Sequence, residues 1–191
     1  MEILFSDTNL VACIKPVGLD AEHDVPLALK KELGGQIYPV HRLDKNVGGV
    51  MVYARNRETA AYLSGLIQKG LMVKEYVALV HGAPPESGDW EDLLFKDSRK
   101  NKVFVVKRQR TGVKYARLEF MRLKDSLVRI RLHTGRSHQI RVQFASRGFP
   151  LVGDRKYGAK DEEKAPMLFS CCITFPYETE EKRFEYLPPW A

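Results

Sequence analysis

Val40-His41-Arg42-Leu43-Asp44-Lys45-Asn46-Val47-Gly48-Gly49 runs directly into Val50-Met51-Val52-Tyr53-Ala54. A charged, histidine-containing cluster meets two glycines and then an apolar run that reads as a buried strand over residues 49–54. Glycine permits close backbone approach or positive φ, so residues 48 and 49 mark a tight entry into a core. Asp44 thus lies on a loop at the mouth of a buried strand, a position typical of carboxylates that serve a purpose beyond packing. The competing reading is that Asp44 caps a turn.

Outward from this stretch, strand patterns dominate. Residues 10–14 form a short apolar run ended by the turn signature Lys15-Pro16-Val17-Gly18. Residues 76–80 and 103–106 read as strands. Ala116, Leu118 and Phe120 alternate with polar neighbours, as do Val128, Ile130 and Leu132. Separated by Lys124-Asp125-Ser126, those two segments predict a hairpin with one wet, basic face. Residues 168–175 and 184–187 complete the strands. Three helices are expected. The first covers residues 26–33, with a proline in its first turn and Gly34-Gly35 beyond it. The second covers 57–69, after the N-cap Asn56, with a stripe of Ala60, Leu63 and Ile67. The third covers 137–147, ending at Gly148. Strands do not alternate strictly with helices, which argues against a doubly wound parallel sheet. The pattern predicts one α+β domain over residues 1–191, built on an antiparallel or mixed sheet.

The charge is uneven. The chain carries a formal +7 with a pI near 9.3, which favours a polyanionic partner. Between residues 98 and 118 stand Arg99, Lys100, Lys102, Lys107, Arg108, Arg110, Lys114 and Arg117, with no Asp or Glu among them. Residues 161–163 and 178–181 are locally acidic. This asymmetry predicts a one-sided electrostatic footprint, with a solvated basic hairpin as the alternative. Cys13, Cys171 and Cys172 form neither a disulfide framework nor a zinc pattern and are expected to be reduced cytosolic thiols. The N-terminal residues lack a signal-peptide pattern and no long apolar run predicts a membrane span.

A second chemical segment is Leu132-His133-Thr134-Gly135-Arg136-Ser137-His138-Gln139-Ile140-Arg141-Val142. A strand ends, a glycine turn follows and a helix begins. Arg136, His138 and Arg141 crowd that helix start, so a phosphate site and a salt-bridge network are both open readings. His133 and His138, five apart across a turn with no carboxylate nearby in sequence, do not make a metal site.

His41-Arg42-Leu43-Asp44, followed by Gly49 and a strand, resembles the signature loop of the RluA-type pseudouridine synthases. Three more stretches match in order. Lys15-Pro16-Val17-Gly18-Leu19 resembles the early Lys-Pro-x-Gly motif of that family. Lys74-Glu75-Tyr76-Val77-Ala78-Leu79-Val80 with Gly82 resembles its tyrosine motif. Residues 134–142, then Gly153-Asp154 and Tyr157-Gly158, resemble its arginine motif. The resemblance spans nearly the whole chain. It implies a mixed, mostly antiparallel sheet with flanking helices and a central active-site cleft. It implies an isomerase that converts uridine to pseudouridine in ribosomal or transfer RNA. Asp44 matches the catalytic aspartate, Tyr76 the tyrosine that stacks on the target base, Arg141 the arginine that pairs with the aspartate, and Leu168 an active-site aliphatic residue. His41, Arg42, Arg136 and His138 are expected to contact RNA through the same motifs. Lys107, Arg108 and Arg110 are expected to grip its backbone from the basic run.

The reaction breaks the nitrogen–ribose bond, turns the uracil and rejoins it through carbon. Nothing is oxidised and nothing leaves, so neither cofactor nor metal is expected. The protein is expected to be a cytoplasmic monomer without a separate N-terminal RNA-binding domain. Three residues depart from the family pattern: Val47-Gly48 stands where Thr-Ser is common, and Gln143 where His is common. Val47 and Gly48 are the features that favour the rival reading, a catalytically inactive RNA-binding module. A hydrolytic glycosylase, releasing free uracil, is the second rival.

Overall fold

The computed structural model describes residues 1–191. The strands are β1 (Ile3–Ser6), β2 (Leu10–Lys15), β3 (Tyr38–Pro39), β4 (Gly48–Ala54), β5 (Val73–Leu79), β6 (Ser87–Asp97), β7 (Lys102–Val106), β8 (Val113–Lys124), β9 (Leu127–Leu132), β10 (Leu168–Tyr177) and β11 (Glu180–Glu185). The helices are α1 (Asp24–Leu33), α2 (Arg57–Gln68) and α3 (Gln139–Ala145), with one 3-10 turn at Arg155–Tyr157. The chain divides into two compact units. The first holds Met1–Lys74 and Phe169–Trp190; the second holds Glu75–Leu168 and Ala191.

In the first unit the strand order is β1-β2-β4-β10, with β11 on β10 and β3 on β4. All seven residues of β4 are buried, which is why it reads as a continuous apolar run. It pairs antiparallel with β2, from Leu10 opposite Ala54 to Lys15 opposite Gly49. On its other side it runs parallel to β10, with Phe169 opposite Gly48 and Ser170 opposite Gly49. The core gathers Leu10, Ala12, Val50 and Val52 with Leu63, Leu66, Ile173 and Phe175. Helix α2 begins where Asn56 accepts the Thr59 amide at 2.8 Å, the cap expected from sequence. It buries Thr59, Leu63 and Leu66. Helix α1 starts two residues earlier than the proline suggested and buries Val25 and Leu29.

In the second unit the order is β5-β9-β8-β6-β7. The hairpin β8–β9 forms as expected. Strand β6, eleven residues long, has no counterpart in the sequence reading. Its Leu93-Leu94-Phe95 run breaks the alternation, and its inward positions include Asp92, whose partner lies far along the chain. Asp92 meets Arg147 at 2.7 Å and receives the Gln143 amide at 2.7 Å. Beside this pair Trp90 packs on Phe120 and Phe144 with ring centres 4.4 and 4.7 Å apart. Helix α3 is thereby anchored through Gln143, Phe144 and Arg147. It spans seven residues rather than the eleven expected: His138 takes a left-handed φ of 51°, so only Gln139 opens the helix, and it ends at Ala145, two residues early. Antiparallel pairing predominates and three helices accompany the mixed sheet, the α+β class expected.

Gly49 is the tightest point of the first unit. Its φ is +130°, and a Cβ there would sit 2.5 Å from the Ser170 nitrogen. A Gly49→Ala chain combines backbone strain with overpacking, together about 2–6 kcal/mol. It should therefore melt at least roughly 5 °C below wild type by calorimetry. An unchanged melting temperature would show that β4 and β10 can part there at little cost.

Candidate active site

In the first unit, Asp44 is half-buried on the loop entering β4. Its backbone carbonyl accepts the Val47 amide at 2.9 Å, closing the turn that leads to the glycines. Behind the loop lies Lys15, the last residue of β2 and fully buried. Its ammonium donates to the carbonyl oxygens of Leu19 at 2.9 Å, Pro16 at 3.0 Å and Lys45 at 3.3 Å. The Gly18 amide donates to the same Lys45 carbonyl at 2.8 Å. A buried ammonium is tolerated when its donors are satisfied, and here they tie the Lys-Pro-Val-Gly loop to the aspartate loop. Burial pulls Lys15 down to about 8, while Asp20, Asp44 and Asp24 act to raise it. The sequence displayed both motifs but not this clamp.

His41 faces inward. Its Nε2 accepts the Val52 amide at 3.1 Å, so the ring proton sits on Nδ1, which is buried without a hydrogen-bond partner. Burial, reinforced by the positive charge of Lys74, drives His41 down to about 3 and keeps it neutral. Its visible function is to fasten the aspartate loop to β4. Arg42 points out, with a guanidinium nitrogen 3.6 Å from the Glu22 carboxylate and most of its side chain exposed.

In the second unit, Tyr76 on β5 and Leu168 at the start of β10 are both buried at 6% exposure. Arg141 on α3 is 5% exposed. Its Nε and Nη2 donate to the two Asp154 oxygens at 2.7 and 2.8 Å, a bidentate pair with Asp154 itself 1% exposed. The guanidinium carbon lies 5.2 Å from the Tyr157 ring centre. The Tyr157 hydroxyl receives the Val103 amide at 2.9 Å and sits 2.9 Å from His138 Nδ1. Asp154 and Tyr157 were visible as motif letters; their role in holding the arginine was not.

The crowded helix start resolves into individual engagements. The Arg136 Nε donates to the Tyr115 carbonyl at 2.8 Å. His138 meets Tyr157, and Arg141 meets Asp154. Gln139 braces the turn, its Oε1 accepting the Thr134 hydroxyl at 2.8 Å and the Arg136 amide at 3.1 Å. Of the two open readings, the internal network describes these contacts.

The basic run also divides. Lys107, Arg108 and Arg110 are exposed on the connection between β7 and β8, and Arg110 lies 4.7 Å over the Phe95 ring. Arg117 leaves the group: it forks onto Asp89 at 3.0 and 2.8 Å and reaches Glu119 at 3.1 Å. No acid interrupts residues 98–118 except through cross-strand pairing, which linear spacing cannot display. His133, expected to lack a carboxylate nearby, stands 3.0 Å from the same Glu119.

The family model described as RNA pseudouridylate synthase matches residues 9–146. The chain is 38% identical over 131 residues to an uncharacterized RNA pseudouridine synthase of Chloroflexus aurantiacus, a match covering 67% of this chain and 42% of that protein. It is 36% identical to the ribosomal large subunit pseudouridine synthase C of Buchnera aphidicola subsp. Baizongia pistaciae, covering 83% and 54%. It is 27% identical to the tRNA pseudouridine synthase C of Haemophilus ducreyi, covering 83% and 74%. The chain thus spans about half the length of two of these three relatives. Among solved structures it is similar to human RNA pseudouridylate synthase domain containing 4, with TM-score 0.81 and 25% identity, covering 99% of this chain and 89% of that one. It also shares its fold with human RNA pseudouridylate synthase domain containing 1, with TM-score 0.88, 22% identity and coverage of 100% and 84%.

Removing one member of a buried ion pair leaves the other uncompensated. Arg141→Ala and Asp154→Ala should each cost about 3–5 kcal/mol, and the double variant should cost less than their sum by at least about 0.5 kcal/mol in denaturant melts. Strict additivity would deny the coupling. His41 carries a pH signature. Its ordinary value is 6.5 and its folded value about 3, so between these the unfolded chain binds more protons and stability falls as the pH drops. His41→Gln, which can still accept from Val52, should lose less stability than wild type between about pH 7 and about pH 4.5. Equal losses would mean that His41 protonates freely in the folded chain.

Proposed function

The chain belongs to the RNA pseudouridylate synthase family, and on that footing we propose that it isomerises uridine to pseudouridine in ribosomal or transfer RNA, with Asp44 as the nucleophile. The observation that carries the proposal is the seating of Asp44. Its loop is held from behind by the Lys15 ammonium through the Lys45 carbonyl and from the side by His41 on β4, so the carboxylate is presented by a braced turn. Tyr76 and Arg141 keep the roles that the resemblance assigns to them, stacking on the flipped base and keeping a carboxylate ionic. A flipped base costs a few kcal/mol to extract, and a stacking aromatic offsets roughly 1–3 kcal/mol of it. The fit of Arg141 to its role is supported by its fixed guanidinium plane, which Asp154 and Tyr157 orient.

The rival reading, an inactive RNA-binding module, drew on Val47 and Gly48; Gln143 is the other departure from the family pattern. Each has a packing reason here. A Cβ on Gly48 would come within 3.2 Å of the Lys15 carbonyl, and Gln143 secures α3 through Asp92. These departures therefore weigh little against catalysis. Two substrate classes stay within the proposal, because the names of similar proteins include both a ribosomal and a transfer RNA enzyme. The proposal treats both units as parts of one catalytic module acting as a cytoplasmic monomer.

Incubating the purified chain with ribosomal and transfer RNA transcripts, followed by carbodiimide labelling and primer extension, tests this. A new stop at one uridine is expected with wild type, and none with Asp44→Asn, which should still bind the same RNA. A stop that persists with Asp44→Asn would remove the carboxylate from the mechanism; free uracil would indicate a glycosylase instead.

A further inference from the structure

The outer hairpin of the second unit presents an unusual face to solvent. Strand β7 is the edge of its sheet. Residues directly opposite in antiparallel strands share a face. Phe95 opposes Phe104 and Leu93 opposes Val106, while Leu93 also opposes Tyr115. Phe95, Phe104 and Tyr115 therefore stand on one side of the sheet. The opposite side carries Leu94, Val103 and Ala116, which form the core with Val142 and Tyr157. On the outer side Phe104 is 36% and Tyr115 44% exposed. Exposed aromatic rings gathered on one sheet face can mark a contact surface.

Charge says what covers them. Arg110 lies 4.7 Å over the Phe95 ring, and Lys102 at the sheet edge lies 5.8 Å from the Phe104 ring and 5.2 Å from the Tyr157 ring. Lys107 and Arg108 are exposed on the adjoining connection. Of the acids on the same face, Asp89, Glu91 and Glu119 all lie within 3.9 Å of Arg117, and Asp97 stands opposite Lys102. The rings thus border exposed cations on one side and, on the other, an acidic cluster in which Arg117 offsets only part of the charge. Cationic grooves with open aromatic rings on a sheet surface are what unpaired nucleotides require, the bases stacking and the phosphates meeting the cations.

Resting on the reading that the substrate is RNA, we propose that Phe104 and Tyr115, with Arg110 and Lys102, form a stacking platform for unpaired RNA nucleotides outside the Asp44 loop. The platform selects substrates whose modified uridine is accompanied by a single-stranded segment, because paired bases cannot offer their faces to it.

The test uses the whole chain with Phe104→Leu, Tyr115→Leu and both together, which keep apolar cover at exposed positions; thermal melts report folding. The probes are a uridine-free ten-nucleotide RNA without self-pairing and a duplex of equal length, titrated by fluorescence anisotropy. Single-strand affinity should fall roughly fivefold or more per ring, duplex affinity should hold, and the salt slope should be unchanged because no cation is removed. Unchanged single-strand affinity in the folded double variant, an equal loss on duplex, or no binding of the single strand by wild type would each overturn the platform. Pseudouridine formation is scored separately. If wild type forms none yet binds the single strand through its rings, the catalytic reading fails and the platform stands. If wild type is active and the rings are dispensable for binding, only the platform fails.

Discussion

A lysine ammonium with no water around it must find acceptors inside the protein, and Lys15 finds three, all backbone carbonyls. Two belong to the turn that follows β2 and the third to Lys45, next to Asp44. The demand of one buried charge thus couples two loops thirty residues apart in sequence. The acceptors are carbonyls rather than a carboxylate, so the clamp ties backbone to backbone. The neighbouring constraint at Gly49 is steric: β4 and β10 approach so closely that no side chain fits. Together these leave the aspartate loop one way to lie.

The second unit answers a similar demand with a different device. Arg141 is buried and its charge is met by the bidentate Asp154, with Tyr157 under the guanidinium plane. The segment carrying Asp154 is itself pinned, since the Gly153 amide donates to Asp161 at 2.7 Å and Asp161 meets His81 at 2.6 Å. On the helix side, Gln143 and Arg147 tie α3 to Asp92 and Trp90. An arginine held from so many directions contributes a fixed plane of donors, and fixing such groups in advance is how a site limits reorganisation during reaction.

Much of the fold was legible in the chain. The glycine entry into β4, the Asn56 cap of α2 and the alternating β8–β9 hairpin are local signals, decided by neighbours within a few residues. Strand β6 was not legible, because its inward Asp92 is acceptable only once Arg147 and Gln143 arrive from α3. The third helix starts two residues late, where His138 takes a left-handed conformation and reaches Tyr157. The same limit applied to charge. Arg117 looked like part of a basic run until Asp89 from the neighbouring strand and Glu119 along its own strand were beside it, and His133 looked remote from carboxylates until Glu119 met it.

The linear order of residues therefore determined the family resemblance and the fold class, and it singled out Asp44, Tyr76 and Arg141 as candidates, because motifs and periodicity are written in neighbouring residues. It could not determine what each polar side chain would be doing. That His41 is a neutral fastener, that Lys15 braces a turn and that Asp154 orients an arginine were decided only by tertiary structure. Burial removes water as a partner, and each buried donor or charge must then take whichever acceptor the fold brings within reach.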